Sequence, residues 1–278
     1  MKNILSPSNR RVLRAFASSN VLLGFDFDGT LAPIVADPER AAMRARTRRL
    51  LRVLAGLYPC VVLSGRARAD VRGRLRGVPV RGVVGNHGAE LRQSSRRLAR
   101  QVRRWRPLLE ERLSALQGVS VEDKGFSTSV HYRRSRRKAR ARAAILEAVE
   151  DLGDVRVIGG ACVVNVLPKG APHKGVAIER ERRRLGCETA IYLGDDDTDE
   201  DVFAIDRPGR LLTIRVGPRA GSAASYFVRK QADVDELLRL LIAERRAARG
   251  IGPAAARRKG SSRPGQGAPL SAPAARSG

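Results

Sequence analysis

Two carboxylates, Asp26 and Asp28, stand two residues apart in GFDFDGTLAPI, where an apolar run gives way to Gly29-Thr30. Residues i and i+2 of a strand share a face, so both side chains can leave a sheet edge toward one site. Like charges that close repel, and a hard divalent cation that takes oxygen ligands is the natural group to neutralise them. Asp-Gly is also a common turn pair, so these residues alone admit a hairpin reading. Three further segments carry complementary chemistry: Ser64-Gly65-Arg66 after CVVL, Lys174 in PHKG, and the acidic run Asp195 to Asp197 with Asp199 after AIYL. Each alone has an ordinary meaning as a turn, a solvated lysine or an acidic helix start. Together they share a position after apolar runs, and ligands in open α/β sheets collect outside the carboxyl ends of the strands.

The elements needed to position these groups are legible as an alternation of strand and helix patterns, which builds a parallel sheet. Residues 21–27, 60–63, 81–84, 189–193 and 211–216 read as strands, and 41–57, 68–75, 174–184, 198–205 and 234–246 as helices. Between them the pattern changes: helical segments at 96–116 and 136–152 alternate with strand-rich segments at 119–132 and 155–166. The expected fold is therefore α/β, a discontinuous parallel-sheet domain over 1–92 and 169–249 interrupted by an α+β insert over 93–168. From residue 250 to 278 the chain turns to Ala, Gly, Pro, Ser and Arg with almost no large apolar residue, the composition of a disordered basic tail.

The 278 residues, 42% hydrophobic but only 4% aromatic, can bury a core built mostly of Val, Leu, Ile and Ala. No run approaches the roughly 20 apolar residues of a membrane span, and the N-terminus lacks a continuous hydrophobic signal segment, so a cytoplasmic protein with no membrane partner is expected. Cys60, Cys162 and Cys187 lie far apart, which speaks against a disulfide framework and a cysteine metal site. The formal net charge of +26 is compatible with nucleic acid, an acidic surface or an anionic substrate. The excess is nearly all Arg on expected helix faces, without the interleaved aromatics of single-strand binders. It reads as a compositional bias on solvated faces, with no specific nucleic-acid partner.

The four segments resemble the haloacid dehalogenase superfamily of phosphotransferases, whose pattern is DxDGT, a Ser or Thr after the second strand, a Lys, and a late acidic motif. Within it, GFDFDGTLAPI, LSGR, GNHGAE, PHKG and LGDDDTDEDVF are similar to the trehalose-6-phosphate phosphatase family. The resemblance implies a Rossmann-like core with an inserted cap, and a Mg²⁺-dependent phosphatase acting on a phosphorylated disaccharide. It implies Asp26 as nucleophile, Asp28 as general acid and base, and Ser64 and Lys174 as holders of phosphoryl oxygens. Mg²⁺ would be bound by Asp26, the Asp28 backbone carbonyl and Asp195, with Asp196 and Asp199 orienting its waters. Arg66, Asn86, His87, Glu122, Lys124, Arg133 and Asn165 would contact substrate. The chain departs from the family pattern at Asn165, where a Glu is usual, and at Ala161-Cys162, where a Lys would fall. Two other readings stay open: a phosphatase of another sugar phosphate, of the mannosyl-3-phosphoglycerate or sucrose-phosphate type, and a noncatalytic polyanion-binding protein on the same fold.

Overall fold

The computed structural model describes residues 1–91 and 96–250. Seven parallel strands form one sheet in the order β1 (Lys2–Asn3), β11 (Tyr226–Val228), β10 (Leu211–Val216), β9 (Thr189–Gly194), β2 (Val21–Phe25), β3 (Cys60–Leu63) and β4 (Gly82–Val84). Strands buried on both faces carry apolar residues throughout, and here successive residues serve opposite layers. Leu23, Phe25, Val62, Ile191, Leu193 and Ile214 pack with α1 (Arg10–Ser18), α2 (Ala45–Leu57) and α8 (Val234–Ala248). Leu22, Val61, Leu63, Ala190 and Tyr192 pack with α6 (Lys174–Arg184) and α7 (Glu200–Phe203). The remaining helix of this layer system, α3 (Arg68–Arg74), sends Val71 into the first cluster.

The chain runs from β2 outward through β3 and β4, then returns to β9 on the other side of β2. The strand order therefore reverses between β2 and β9, and a crevice must open at their carboxyl ends. Asp26 follows β2 and Asp195 follows β9, and the Asp26 N–H donates to Leu193 O at 2.8 Å, locking the two strand ends together.

A second sheet, antiparallel, runs in the order β5 (Ser120–Asp123), β6 (Thr128–His131), β8 (Val163–Pro168) and β7 (Val155–Gly160). One face carries Val130, Val164 and Val166 against Val102, Trp105 and Leu109 of α4 (Arg96–Arg112) and Ile145 and Val149 of α5 (Lys138–Glu150). Directly opposed residues share a face. The pairs Glu122 with Ser129, Ser129 with Asn165, Ile158 with Asn165, and Arg156 with Leu167 therefore lie on the other face. Leu167 and Ile158 meet Ala89 and Ala171 there, so this face packs toward the parallel sheet's loops.

The expected strand over 21–27 stops at Phe25. Asp26 to Ala32 folds instead into a tight loop, in which Ala32 N–H donates to Phe27 O and Gly29 N–H to Ala32 O, both at 2.8 Å. Phe27 is driven into the core, and a loop rather than a shared strand face sets the positions of Asp26 and Asp28. Helix α2 begins at Ala45 rather than 41, and α4 ends at Arg112 rather than 116. β1, α1 and β11 were not anticipated, the two strands being only two and three residues long. The expected insert start at Gln93, and all of the expected tail over 250–278 but its first residue, lie outside the described residues.

Candidate active site

The crevice between β2 and β9 gathers Asp26, Asp195 and Asp199, whose carboxylate oxygens lie within 4.8 Å of one another. Lys174, the first residue of α6, is 1% exposed and donates from Nζ to Asp26 Oδ1 at 3.0 Å and to Asp199 Oδ1 at 2.7 Å. Asp199 has every acceptor direction engaged: Oδ1 also accepts from Tyr192 Oη at 2.6 Å, and Oδ2 accepts from the N–H groups of Asp195 and Asp196 at 2.9 and 3.0 Å. It is thus a fully bonded buttress that fixes the ammonium and the acidic loop. Asp195 accepts from Thr30 Oγ1 at 2.9 Å, so the Gly29-Thr30 turn after β2 holds the carboxylate that follows β9. Gly29 has φ +77°, and a Cβ there would fall 1.9 Å from Asp195 Oδ2, so only glycine allows that approach.

The electrostatics of the cluster are those of a cation site. Burial pushes the Asp26 carboxyl well above its ordinary range, and although Lys174 opposes this, Asp199 and Asp195 push it further. Asp195 is pushed up to about 7, by burial first and by Asp199 next. Burial disfavours the Lys174 charge, but Asp199 and Asp26 more than offset that and raise it. One ammonium thus faces three clustered carboxylates, and an all-oxygen set left short of positive charge suits a hard divalent cation.

Asp28, on the far side of the loop, is gripped by Arg66: Nε donates to Oδ2 at 2.7 Å and an Nη to Oδ1 at 2.8 Å. The same guanidinium donates to Asp70 at 3.0 Å and to Pro38 O at 2.8 Å, so it is a fixed fork that orients Asp28. Ser64 is 1% exposed beside it and accepts from Arg66 N–H at 3.2 Å.

Of the residues expected to touch substrate, Asn86 and Asn165 have their side-chain amides bonded to other parts of the protein. Asn86 donates to Glu90 Oε2 at 2.8 Å and to Lys124 O at 3.1 Å, and accepts from Ser127 Oγ, so it ties the parallel-sheet unit to the β5–β6 turn. Asn165 accepts from Ser129 Oγ at 2.6 Å and donates to Ile158 O at 3.4 Å, its neighbours in the antiparallel sheet. Glu122 Oε2 accepts from His131 Nε2 at 2.8 Å and lies 3.8 Å from Lys124 Nζ, and the His131 bond first, then Lys124, holds its carboxyl below the usual range despite burial. The Lys124 ammonium is lowered, chiefly by burial, with Arg66 adding to it and Glu122 and Asp28 opposing. Lys124 and Glu122 therefore stand over the Asp28–Arg66 side of the crevice. Arg133 is exposed and donates to Ala161 O at 3.0 Å. His87 is buried at φ 54°, with Nδ1 unpartnered among the described residues, and burial followed by Lys174, Lys124 and Arg156 keeps its ring neutral.

Sequence reasoning missed Thr30, Tyr192 and Arg156. Thr30 was legible as part of DGT; Tyr192 looked like a core aromatic in an apolar strand, and Arg156 like one more arginine among many.

The trehalose-phosphatase family model matches residues 24–231. A rice protein named "Probable trehalose-phosphate phosphatase 3" is 30% identical over 266 residues, covering 83% of this chain and 72% of its own length. The trehalose-phosphate phosphatase of Mycobacterium ulcerans is 34% identical over 231 residues, covering 76% of this chain and 59% of its own. Among solved structures, the C-terminal domain of the Candida albicans trehalose-6-phosphate phosphatase superposes with a TM-score of 0.67 at 25% identity, covering 84% of this chain and 97% of that one.

Proposed function

Because the chain belongs to the trehalose-phosphatase family, we propose that it hydrolyses trehalose 6-phosphate to trehalose and inorganic phosphate, with Asp26 as nucleophile. The observation that carries this reading is the buried junction of Asp26, Lys174, Asp199 and Asp195 at the reversal of strand order. In the first half-reaction an Asp26 carboxylate oxygen bonds to phosphorus, and the bond from phosphorus to the sugar oxygen breaks. Asp28 gives that oxygen its proton, which requires the Arg66 fork to open as substrate arrives. In the second, Asp28 takes a proton from water as the water oxygen bonds to phosphorus, and the Asp26 to phosphorus bond breaks.

Lys174 holds Asp26 in place and, with the Ser64 hydroxyl, donates to phosphoryl oxygens as charge spreads over them. Asp26, Asp195 and the Asp28 carbonyl would hold Mg²⁺, with exposed Asp196 beside its waters. When bound, the ion supplies charge neutralisation for the carboxylate cluster and the phosphoryl group. Residues 93–168 would act as the cap, presenting Lys124, Glu122 and His131 to the sugar. The noncatalytic polyanion-binding reading gains no support from a site this acidic.

The deciding experiment is phosphate release from a panel of phosphorylated sugars, with and without Mg²⁺, by the intact chain and by Asp26→Asn. Trehalose 6-phosphate should be the best substrate, turnover should require the cation, and Asp26→Asn should be folded and inactive. A folded Asp26→Asn protein with substantial turnover would refute the nucleophile; a strong preference for another sugar would refute the substrate.

A further inference from the structure

Arg156 is the anomaly of the cap sheet. It sits on β7 opposite Leu167, on the face turned toward the parallel sheet, and its Nε and one Nη are buried with no partner among the described residues. A buried guanidinium left unpaired is destabilising, because desolvation of the charge is not repaid by hydrogen bonds. Burial indeed depresses its pKa, with Asp201 the only opposing influence. A cavity of about 620 Å³ opens beside it, between the β7–β8 hairpin (Gly159, Gly160, Ala161) and the segment carrying Asp196, Thr198 and Asp201. A second unsatisfied group lines the same cavity: Thr198 is only 6% exposed, and its Oγ1 has no partner among the described residues.

We propose that Arg156 and Thr198 form a sugar-reading subsite, in which the guanidinium and the hydroxyl bind ring hydroxyls of the substrate remote from its phosphate. The lining decides the chemistry. Arg156 supplies donors, Asp196, Asp197 and Asp201 supply acceptors, and Thr198 supplies both. A neutral polyhydroxyl ring gives and takes hydrogen bonds and satisfies all of them. A carboxylate-bearing substrate would gain Arg156 but meet the carboxylates of Asp196 and Asp201. The lining includes Asp196, the residue after Asp195, so the cavity adjoins the loop that carries the carboxylate cluster. This rests on the phosphatase reading above and assigns the reading of its sugar to Arg156 and Thr198.

The test compares Arg156→Ala, Arg156→Lys and Thr198→Val with the unaltered full chain, on trehalose 6-phosphate, on a glycerate-linked sugar phosphate and on a small aryl phosphate. Arg156→Ala should lower kcat/KM for trehalose 6-phosphate by about 10- to 100-fold, mainly through KM, consistent with losing bonds to a charged donor. Arg156→Lys should recover little of it, because an ammonium lacks the planar fork. Thr198→Val should show a smaller loss of the same kind. Aryl phosphate hydrolysis should stay within about twofold, since that substrate does not reach the cavity. The melting temperature of Arg156→Ala should be unchanged or raised, the reverse of what a structural role requires. Equal losses on sugar and aryl substrates, no loss on the sugar, or a loss confined to the glycerate-linked compound would overturn the subsite. If the unaltered chain prefers a different neutral sugar phosphate, the substrate assignment fails alone, and the Arg156 comparison is read on that sugar by the same criteria.

Discussion

Among the described residues, Lys174 is the one ammonium paired with Asp26 and Asp199, and Asp195 is left without a cationic partner of its own. Asp195 is pushed up to about 7 from a normal carboxyl value of 3.8. A carboxyl raised on folding keeps its proton in the folded chain while the unfolded chain has already lost it. The stability it contributes is complete below its ordinary value and is lost as pH rises through the raised one. Lys174, raised above its own ordinary value, adds no pH dependence in that window because it is charged in both states. Metal-free protein should therefore lose stability between about pH 4 and pH 7 relative to metal-free Asp195→Asn, and added Mg²⁺ should stabilise more strongly as pH rises. Melting curves of both proteins across that range test it; parallel profiles would mean that Asp195 does not carry the strain.

At the scale of elements, the site depends on backbones that approach closely. The GNHG turn after β4 packs against the start of α6, where Lys174 sits, and Gly88 is the contact point. Its φ is +105°, and a Cβ there would lie 2.4 to 2.7 Å from backbone atoms of His173 and Lys174. Neither neighbour is a flexible side-chain end, so the helix start or the turn would have to move. Gly88→Ala should thus destabilise the protein by roughly 2–3 kcal/mol, from strain at a left-handed position together with overpacking. It should also reduce turnover on both sugar and aryl phosphates, because displacing Lys174 affects the phosphate site they share. Denaturant unfolding together with both assays checks this; a loss of stability with full activity would show that the turn yields rather than the helix.

Across the whole molecule, Asn86 is a joint between the two sheets. It lies after β4, yet bonds Ser127 and the Lys124 carbonyl in the β5–β6 turn, and so sets where Lys124 stands over the crevice. Asn86→Ala and Ser127→Ala should each destabilise, and the double variant should lose less than their sum, with a coupling of about 0.5–3 kcal/mol. A double-mutant cycle by denaturant unfolding measures it, and strict additivity would mean that the contact carries no energy. The arginine excess has a related molecular use. Arg48 donates to the carbonyls of Arg74 and Arg76, Arg182 to Cys187 O, Arg184 to Arg81 O and Arg245 to Ser19 O. These four guanidinium groups thus staple helix ends and loops.

The sequence by itself determined the alternation that builds the parallel sheet, the interruption by a second α+β unit, and the carboxylates and lysine of the crevice. Those signals are local: apolar periodicity and short motifs survive in one dimension. Only the tertiary structure decided that a loop, not a strand face, presents Asp26 and Asp28, because Phe27 is pulled into a core assembled from distant helices. Only it showed that Asp199 is fully bonded, that Asn86 and Asn165 are engaged between strands and units, and that two Arg156 donors find no partner among the described residues beside a cavity. The physical reason is common to all four. Whether a polar side chain is free to meet a ligand depends on which partners reach it first, and those partners lie from 3 to 41 residues away in the chain.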